Sequence, residues 1–177
     1  MRLFVALELP WELRQRLAAL GGGVPGARWI PAENLHLTLR FIGEVPPFRA
    51  EEIDHALAAL RGRRFPLALA GIGTFAKAGR ETLLWVGVER CERLEHLQGK
   101  IETALQRAGL EPERRRFVPH VSLARLDNAA PEKLAAFVQR HNLFRTGPFE
   151  VEHFTLFSSR LGKEQAAYEA EVEYELA

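Results

Sequence analysis

Leu3, Val5, Leu7 and Leu9 alternate with Phe4, Ala6 and Glu8, which predicts a largely apolar strand with burial reaching both faces. Pro10 then opens a helix over Trp11–Leu20, where Trp11, Leu13, Leu17 and Leu20 keep helical spacing until Gly21-Gly22-Gly23 ends it. A loop runs through Pro25 and Gly26 to Pro31. Beyond it the pattern predicts a strand over Asn34–Gly43, a helix over Phe48–Arg61, a glycine-interrupted strand over Phe65–Phe75 and a strand over Thr82–Val88. The longest helix, Glu92–Ala108, is closed by Gly109. After it come a strand over Val118–Leu126, a proline-opened helix over Pro131–His141, and strands over Phe149–Ser158 and Tyr168–Leu176.

This order contains one unit twice: strand, helix, loop, strand bearing a histidine, helix, strand. The copies run from about residue 3 to 75 and from about 82 to 158, within a single domain covering 1–177. His36 maps onto His120, and Phe65 onto Phe149, at the same separation of 84 residues. Two long copies do not make a solenoid. They are a duplication signal, in one compact domain or in two half-sized lobes that share a core.

The two histidine strands carry the candidate chemistry. In Leu35-His36-Leu37-Thr38-Leu39-Arg40-Phe41, strict alternation puts Leu35, Leu37, Leu39 and Phe41 on an apolar face and His36, Thr38 and Arg40 on the other. In Pro119-His120-Val121-Ser122-Leu123-Ala124-Arg125, Val121 and Leu123 face the core while His120 and Ser122 point away. Each copy therefore offers an imidazole and a hydroxyl roughly 7 Å apart on one face. A single copy is ordinary strand surface. A pseudo-twofold axis between two copies brings both imidazoles to one cleft, one as base and one as acid, which suits a side chain with a pKa of about 6.5. The hydroxyls of Thr38 and Ser122 can donate hydrogen bonds to an anionic oxygen. A phosphodiester meets these demands, and the order of the two proton transfers stays open at this point.

Composition narrows the surroundings. The chain has 177 residues, 47% apolar and 27% charged, enough for one packed core. Its net charge of +1 gives no global attraction to a polyanion, so any RNA contact needs a local basic patch. Cys91, the only cysteine, excludes an internal disulfide or a multi-cysteine zinc site and fits a reducing cytoplasm. The apolar run after Met1 is too short for a signal-peptide core or a membrane span, so neither export nor membrane insertion is expected.

The paired His-x-Thr/Ser motifs resemble those of the two-histidine phosphoesterases. The longer stretches Asn34-Leu35-His36-Leu37-Thr38-Leu39-Arg40-Phe41-Ile42-Gly43-Glu44-Val45 and Phe117-Val118-Pro119-His120-Val121-Ser122-Leu123-Ala124-Arg125 resemble the RNA 2′,3′-cyclic phosphodiesterases, also called 2′-5′ RNA ligases. Arg2-Leu3-Phe4-Val5-Ala6 and Leu84-Trp85-Val86-Gly87 are similar too. Ser122 stands where many relatives have threonine, and the hydroxyl is kept. The resemblance implies a bilobal α+β fold with antiparallel sheets around a central cleft and helices outside. It implies cofactor-free hydrolysis of cyclic phosphate ends to 2′-phosphomonoesters, with His36 as proton donor and His120 as proton acceptor, and reversible 2′-5′ joining of tRNA halves. The expected partner is RNA with 2′,3′-cyclic phosphate ends or a cyclic nucleotide, bound by a cytoplasmic monomer. A non-catalytic module holding nucleotide or RNA termini in the same cleft is the alternative; it has no need of both histidines and both hydroxyls.

Arg116, at the end of the run Arg114–Arg116, together with Arg125 and Arg40, are the candidate RNA contacts, because guanidinium groups near the histidine strands can hold phosphates. Trp29 and Phe41 can serve as base platforms, although Phe41 shares the face of Leu37 and Leu39 and is expected to pack in the core. His55, His96, His141 and His153 lack a repeated hydroxyl partner and read as surface or capping residues. No metal is assigned. His36 and His120 fall short of a three-ligand zinc site, and no His-Glu-x-x-His or acidic cluster completes one.

Overall fold

The computed structural model describes residues 1–163 and 165–177. Among these, four α-helices and antiparallel sheets make a mixed α+β fold, as expected from the pattern. The strands are β1 (Arg2–Glu8), β2 (Ala27–Trp29), β3 (His36–Glu44), β4 (Phe65–Leu67), β5 (Leu69–Lys77), β6 (Arg80–Val88), β7 (His120–Leu126), β8 (Phe149–Val151), β9 (His153–Arg160) and β10 (Ala167–Glu175). The helices are α1 (Trp11–Ala18), α2 (Pro47–Ala58), α3 (Glu92–Arg107) and α4 (Pro131–His141).

Proline starts α2 and α4 at the first helical turn, where its missing N–H is not needed. The end of α3 shows why Gly109 is a dependable stop. It has a φ of 99°, its N–H reaches the Gln106 carbonyl and the Leu110 N–H reaches the Leu105 carbonyl, a left-handed cap that a side chain would strain. Helix α3 buries Leu94, Leu97, Ile101 and Leu105 and packs on α2 and β3.

The main sheet runs β10-β9-β1-β3-β7-β6-β5, with β2 paired to β7, and every pairing is antiparallel. At its centre β3 and β7 share a single rung, Leu37 opposite Val121. Past that rung β2 takes over as the partner of β7. Leu37 and Val121 are 84 residues apart. A second, two-stranded sheet pairs Phe65 with Val151 and Leu67 with Phe149, so that residues 84 apart again exchange places across the pairing.

Both histidine strands carry a β-bulge at matching positions. Val5 pairs with Arg40 and Ala6 with Thr38, which leaves Leu39 unopposed; Leu84 pairs with Ala124 and Trp85 with Ser122, which leaves Leu123 unopposed. An extra residue shifts the alternation by one. Leu39 and Arg40 both turn inward, at 3% and 8% exposure, and Phe41 turns outward at 58%. The expectations for these two residues are therefore reversed: Arg40 leaves the histidine face and Phe41 leaves the core. In the second copy Leu123 and Ala124 are buried and Arg125 is exposed.

Three further elements differ from the pattern. Ala27–Trp29, expected as loop, adds to β7 as a short strand; the expected strands Phe65–Phe75 and Phe149–Ser158 are each two strands in different sheets, divided at Ala68 and at Glu152.

Candidate functional site

His36 and His120 each follow a residue whose carbonyl position fixes the ring. His36 Nδ1–H donates to the Asn34 carbonyl at 2.7 Å, and His120 Nδ1–H donates to the Val118 carbonyl at 2.6 Å. A carbonyl can only accept, so each ring keeps its proton on Nδ1 and leaves Nε2 for chemistry. The same device, a carbonyl two residues back, appears in both copies.

The central rung then sets the constellation. With Leu37 opposite Val121, antiparallel pairing places His36 opposite Ser122 and Thr38 opposite His120. The four side chains form a square on one face, and the two imidazoles occupy a diagonal of roughly 7–8 Å between Cα atoms. Their hydroxyl neighbours fill the other diagonal. All four sequence-identified residues are half-buried there.

Aromatic side chains wall both rings. Phe4 lies 4.9 Å from His36, Tyr168 meets it edge-on at 5.2 Å and Phe157 sits 6.3 Å away; Phe75 meets His120 edge-on at 4.9 Å and Trp85 lies 6.2 Å away. Burial among these groups pushes the pKa of both histidines below 6.5, against the opposing hydrogen bonds to Asn34 and Val118. The charge of His120 lowers His36 further, so the two rings sense one another. Sequence reasoning missed this wall, because Phe4, Phe75 and Phe157 come from strands brought beside the histidines only by sheet order. No pattern along the chain marks them, since Phe4 is buried within a buried run and Phe75 lies in a half-buried one.

The arginines separate. Arg116 and Arg125 are exposed, and Arg125, like Phe41 in the other copy, follows the bulge on the face of its histidine strand. Arg40 is withdrawn beneath α3: it donates to Glu102 at 2.6 Å and to the carbonyls of Phe41 and Glu111, both at 2.5 Å. It is a core residue, not an RNA contact. Trp29 is half-buried 5.4 Å from Phe137 of α4, a packing role. A cavity of about 790 Å³ beside α3, lined by His96, Leu97, Phe65 and Ala177 among others, contains none of the histidine-strand residues.

This arrangement offers two Nε2 atoms and two hydroxyls to one ligand, which suits acid and base action on an anionic ester. The model of the 2′-5′ RNA ligase superfamily matches residues 9–163, and the chain belongs to that family. A protein of Aeropyrum pernix named RNA 2′,3′-cyclic phosphodiesterase is 35% identical over 88% of this chain and 89% of its own length. Its namesake in Escherichia coli K12 is 31% identical over 94% and 92%. The crystal structure of E. coli LigT complexed with 3′-AMP superposes with a TM-score of 0.81, at 26% identity, covering 99% of this chain and 97% of that one.

Proposed function

We propose that the protein hydrolyses the 2′,3′-cyclic phosphate ends of RNA to 2′-phosphomonoesters by a two-histidine mechanism that needs no metal. The observation that carries this is the pair of imidazoles on a common face, both locked through Nδ1 and both presenting Nε2. His120 Nε2 takes a proton from water as the water oxygen bonds to phosphorus. The bond from phosphorus to the 3′ oxygen breaks, and His36 gives that oxygen its Nε2 proton. Thr38 and Ser122 hydroxyls donate to the non-bridging oxygens as negative charge builds. Two Nε2 atoms on a diagonal serve either order of transfer, so the roles of His36 and His120 rest on the family likeness. A 5′-hydroxyl in place of water uses the same transfers to form a 2′-5′ bond, as in the joining of tRNA halves.

The lowered pKa values keep both rings neutral in the free protein near neutral pH. A bound phosphate anion supplies the negative charge that raises the donor back toward protonation. Arg116 and Arg125 are the proposed phosphate contacts for the rest of the RNA. The two-lobed organisation, with repeats at approximately 3–75 and 82–158, is also proposed. It is supported by the 84-residue relation of the paired residues and by the matching bulges at Leu39 and Leu123. Among the described residues no helix is long and apolar enough to cross a membrane, and we place the protein in the cytoplasm as a monomer.

The test is a cyclic-phosphate-ended oligonucleotide, with the product read by phosphorus NMR. A 2′-phosphate is expected, at an undiminished rate in EDTA. His36→Ala and His120→Ala are each expected to cut turnover by roughly 10²-fold or more, and the double variant little further. A folded single variant with near-normal turnover overturns the mechanism. Tight binding of the cyclic end without turnover in the unsubstituted protein favours the non-catalytic module, and a 3′-phosphate product reverses the pose.

A further inference from the structure

One strand away from His36 lies a polar cluster that the two-histidine reaction does not use. Glu8 pairs with His36 across β1 and β3, and its carboxylate lies 3.8 Å from His153 Nε2 on the neighbouring strand β9. Glu173 of β10 approaches the same nitrogen at 4.0 Å. Both separations exceed hydrogen-bond length. The three potential ligand atoms lie within 4.8 Å of one another, and among the described residues neither carboxylate has another ion-pair partner.

The polar groups beside the cluster are left in need. His153 Nε2 is a buried atom with no hydrogen-bond partner among the described residues, and neither has the hydroxyl of Thr155, a residue with 0% exposure. Thr155 is the cross-strand partner of Glu173 on one side and of Ala6 on the other, so it shares the face of His153 and Glu8. Two carboxylates and an unpartnered imidazole nitrogen thus converge on one spot across three strands, with an unpartnered buried hydroxyl two residues along β9.

We propose that Glu8, His153 and Glu173 bind a zinc-class divalent cation that clips β1, β9 and β10 together. This goes beyond the phosphodiesterase reading and does not depend on it. The charges suit it, since one divalent ion neutralises both carboxylates and needs the imidazole neutral. Imidazole among the ligands favours zinc over magnesium or calcium, which prefer all-oxygen sets. Metal–ligand bonds of about 2.0–2.2 Å in tetrahedral geometry set ligand atoms about 3.4 Å apart. The triangle therefore has to contract, and Glu173, half-exposed on the edge strand, is free to supply the movement. Water would complete the fourth position of a three-ligand site.

Zinc titrated calorimetrically into the full chain is expected to bind at one equivalent. At about 100-fold excess over Kd it should raise the melting temperature by roughly 5–10 °C. His153→Ala and Glu173→Gln should each weaken binding by about tenfold or more, and Cys91→Ser and His36→Ala should leave it unchanged. Glu173→Gln keeps the side-chain shape at an exposed edge position, so it reports on binding even if His153→Ala fails to fold. No binding, binding that survives Glu173→Gln undiminished, or binding that is lost with His36→Ala overturns the proposal. None of these readouts involves turnover, so a failed hydrolysis assay leaves them standing.

Discussion

Arg40→Met separates a core role from an RNA-binding one. The Arg40–Glu102 pair is nearly dry, with side-chain exposures of 7% and 16%, and the guanidinium also satisfies the carbonyls of Phe41 and Glu111. Methionine fills much of the volume but leaves Glu102 without its counter-charge and two carbonyls without a donor. Breaking one side of a buried pair costs about 3–5 kcal/mol. For a chain of this length that corresponds to a fall in melting temperature of roughly 10 °C. Burial raises the Glu102 pKa, but hydrogen bonds from Arg40, the Glu113 N–H and Gln106, with the Arg40 charge, hold it below 4.5 overall. Its folded value is depressed, so the stabilisation is present above the unfolded pKa and is lost as pH falls through the folded one. The deficit of Arg40→Met should therefore shrink below about pH 4.5. Thermal unfolding followed by circular dichroism measures this, and Arg40→Met/Glu102→Met should recover the part of the loss due to the unpaired carboxylate but not the part due to the Phe41 and Glu111 carbonyls. A fall under about 2 °C, or a raised KM for RNA at unchanged stability, refutes the assignment.

Other outcomes follow from the same geometry. Arg125→Ala should raise KM for an oligonucleotide roughly tenfold and flatten its salt dependence by about one phosphate contact, with kcat little changed; steady-state kinetics across a salt series checks this. Because folding lowers the pKa of both strand histidines, His36 and His120, below pH 6.5 the unfolded chain binds protons that the folded chain does not. Stability should therefore fall with acidification from pH 6.5 toward the folded values and be flat just above it, and His36→Asn should remove part of that slope in urea titrations. The rate should follow a bell in pH whose limbs belong to the histidine pair, and a rate independent of pH from about 5 to 8 contradicts the paired proton transfers.

Much of this was legible in the chain. Period-2 and helical patterns located the four helices and the two histidine strands, because strong amphipathicity and punctuation by Pro47, Gly109 and Pro131 act locally. The bulges did not show, since nothing in Leu39-Arg40 or Leu123-Ala124 distinguishes an unopposed residue from a paired one. The opposite strand decides that, and with it the fate of Arg40 and Phe41. Strand β2 has three residues, too few to display alternation. His153 looked ordinary because Glu8 and Glu173, 145 and 20 residues away, reach it only through sheet order.

The matching bulges also bear on direction. A framework with twofold symmetry presents the same groups to a ligand laid in either way round, and such a ligand would bind in two polarities with equal free energy. The outward position just past the bulge is phenylalanine in one half and arginine in the other. On the reading proposed above, a π-face at one end and a fixed positive charge at the other would make the two orientations unequal by the difference between stacking a base and pairing a phosphate. The aromatic walls differ as well, Phe4, Phe157 and Tyr168 at one histidine against Phe75 and Trp85 at the other, so the groups at both ends distinguish the two directions.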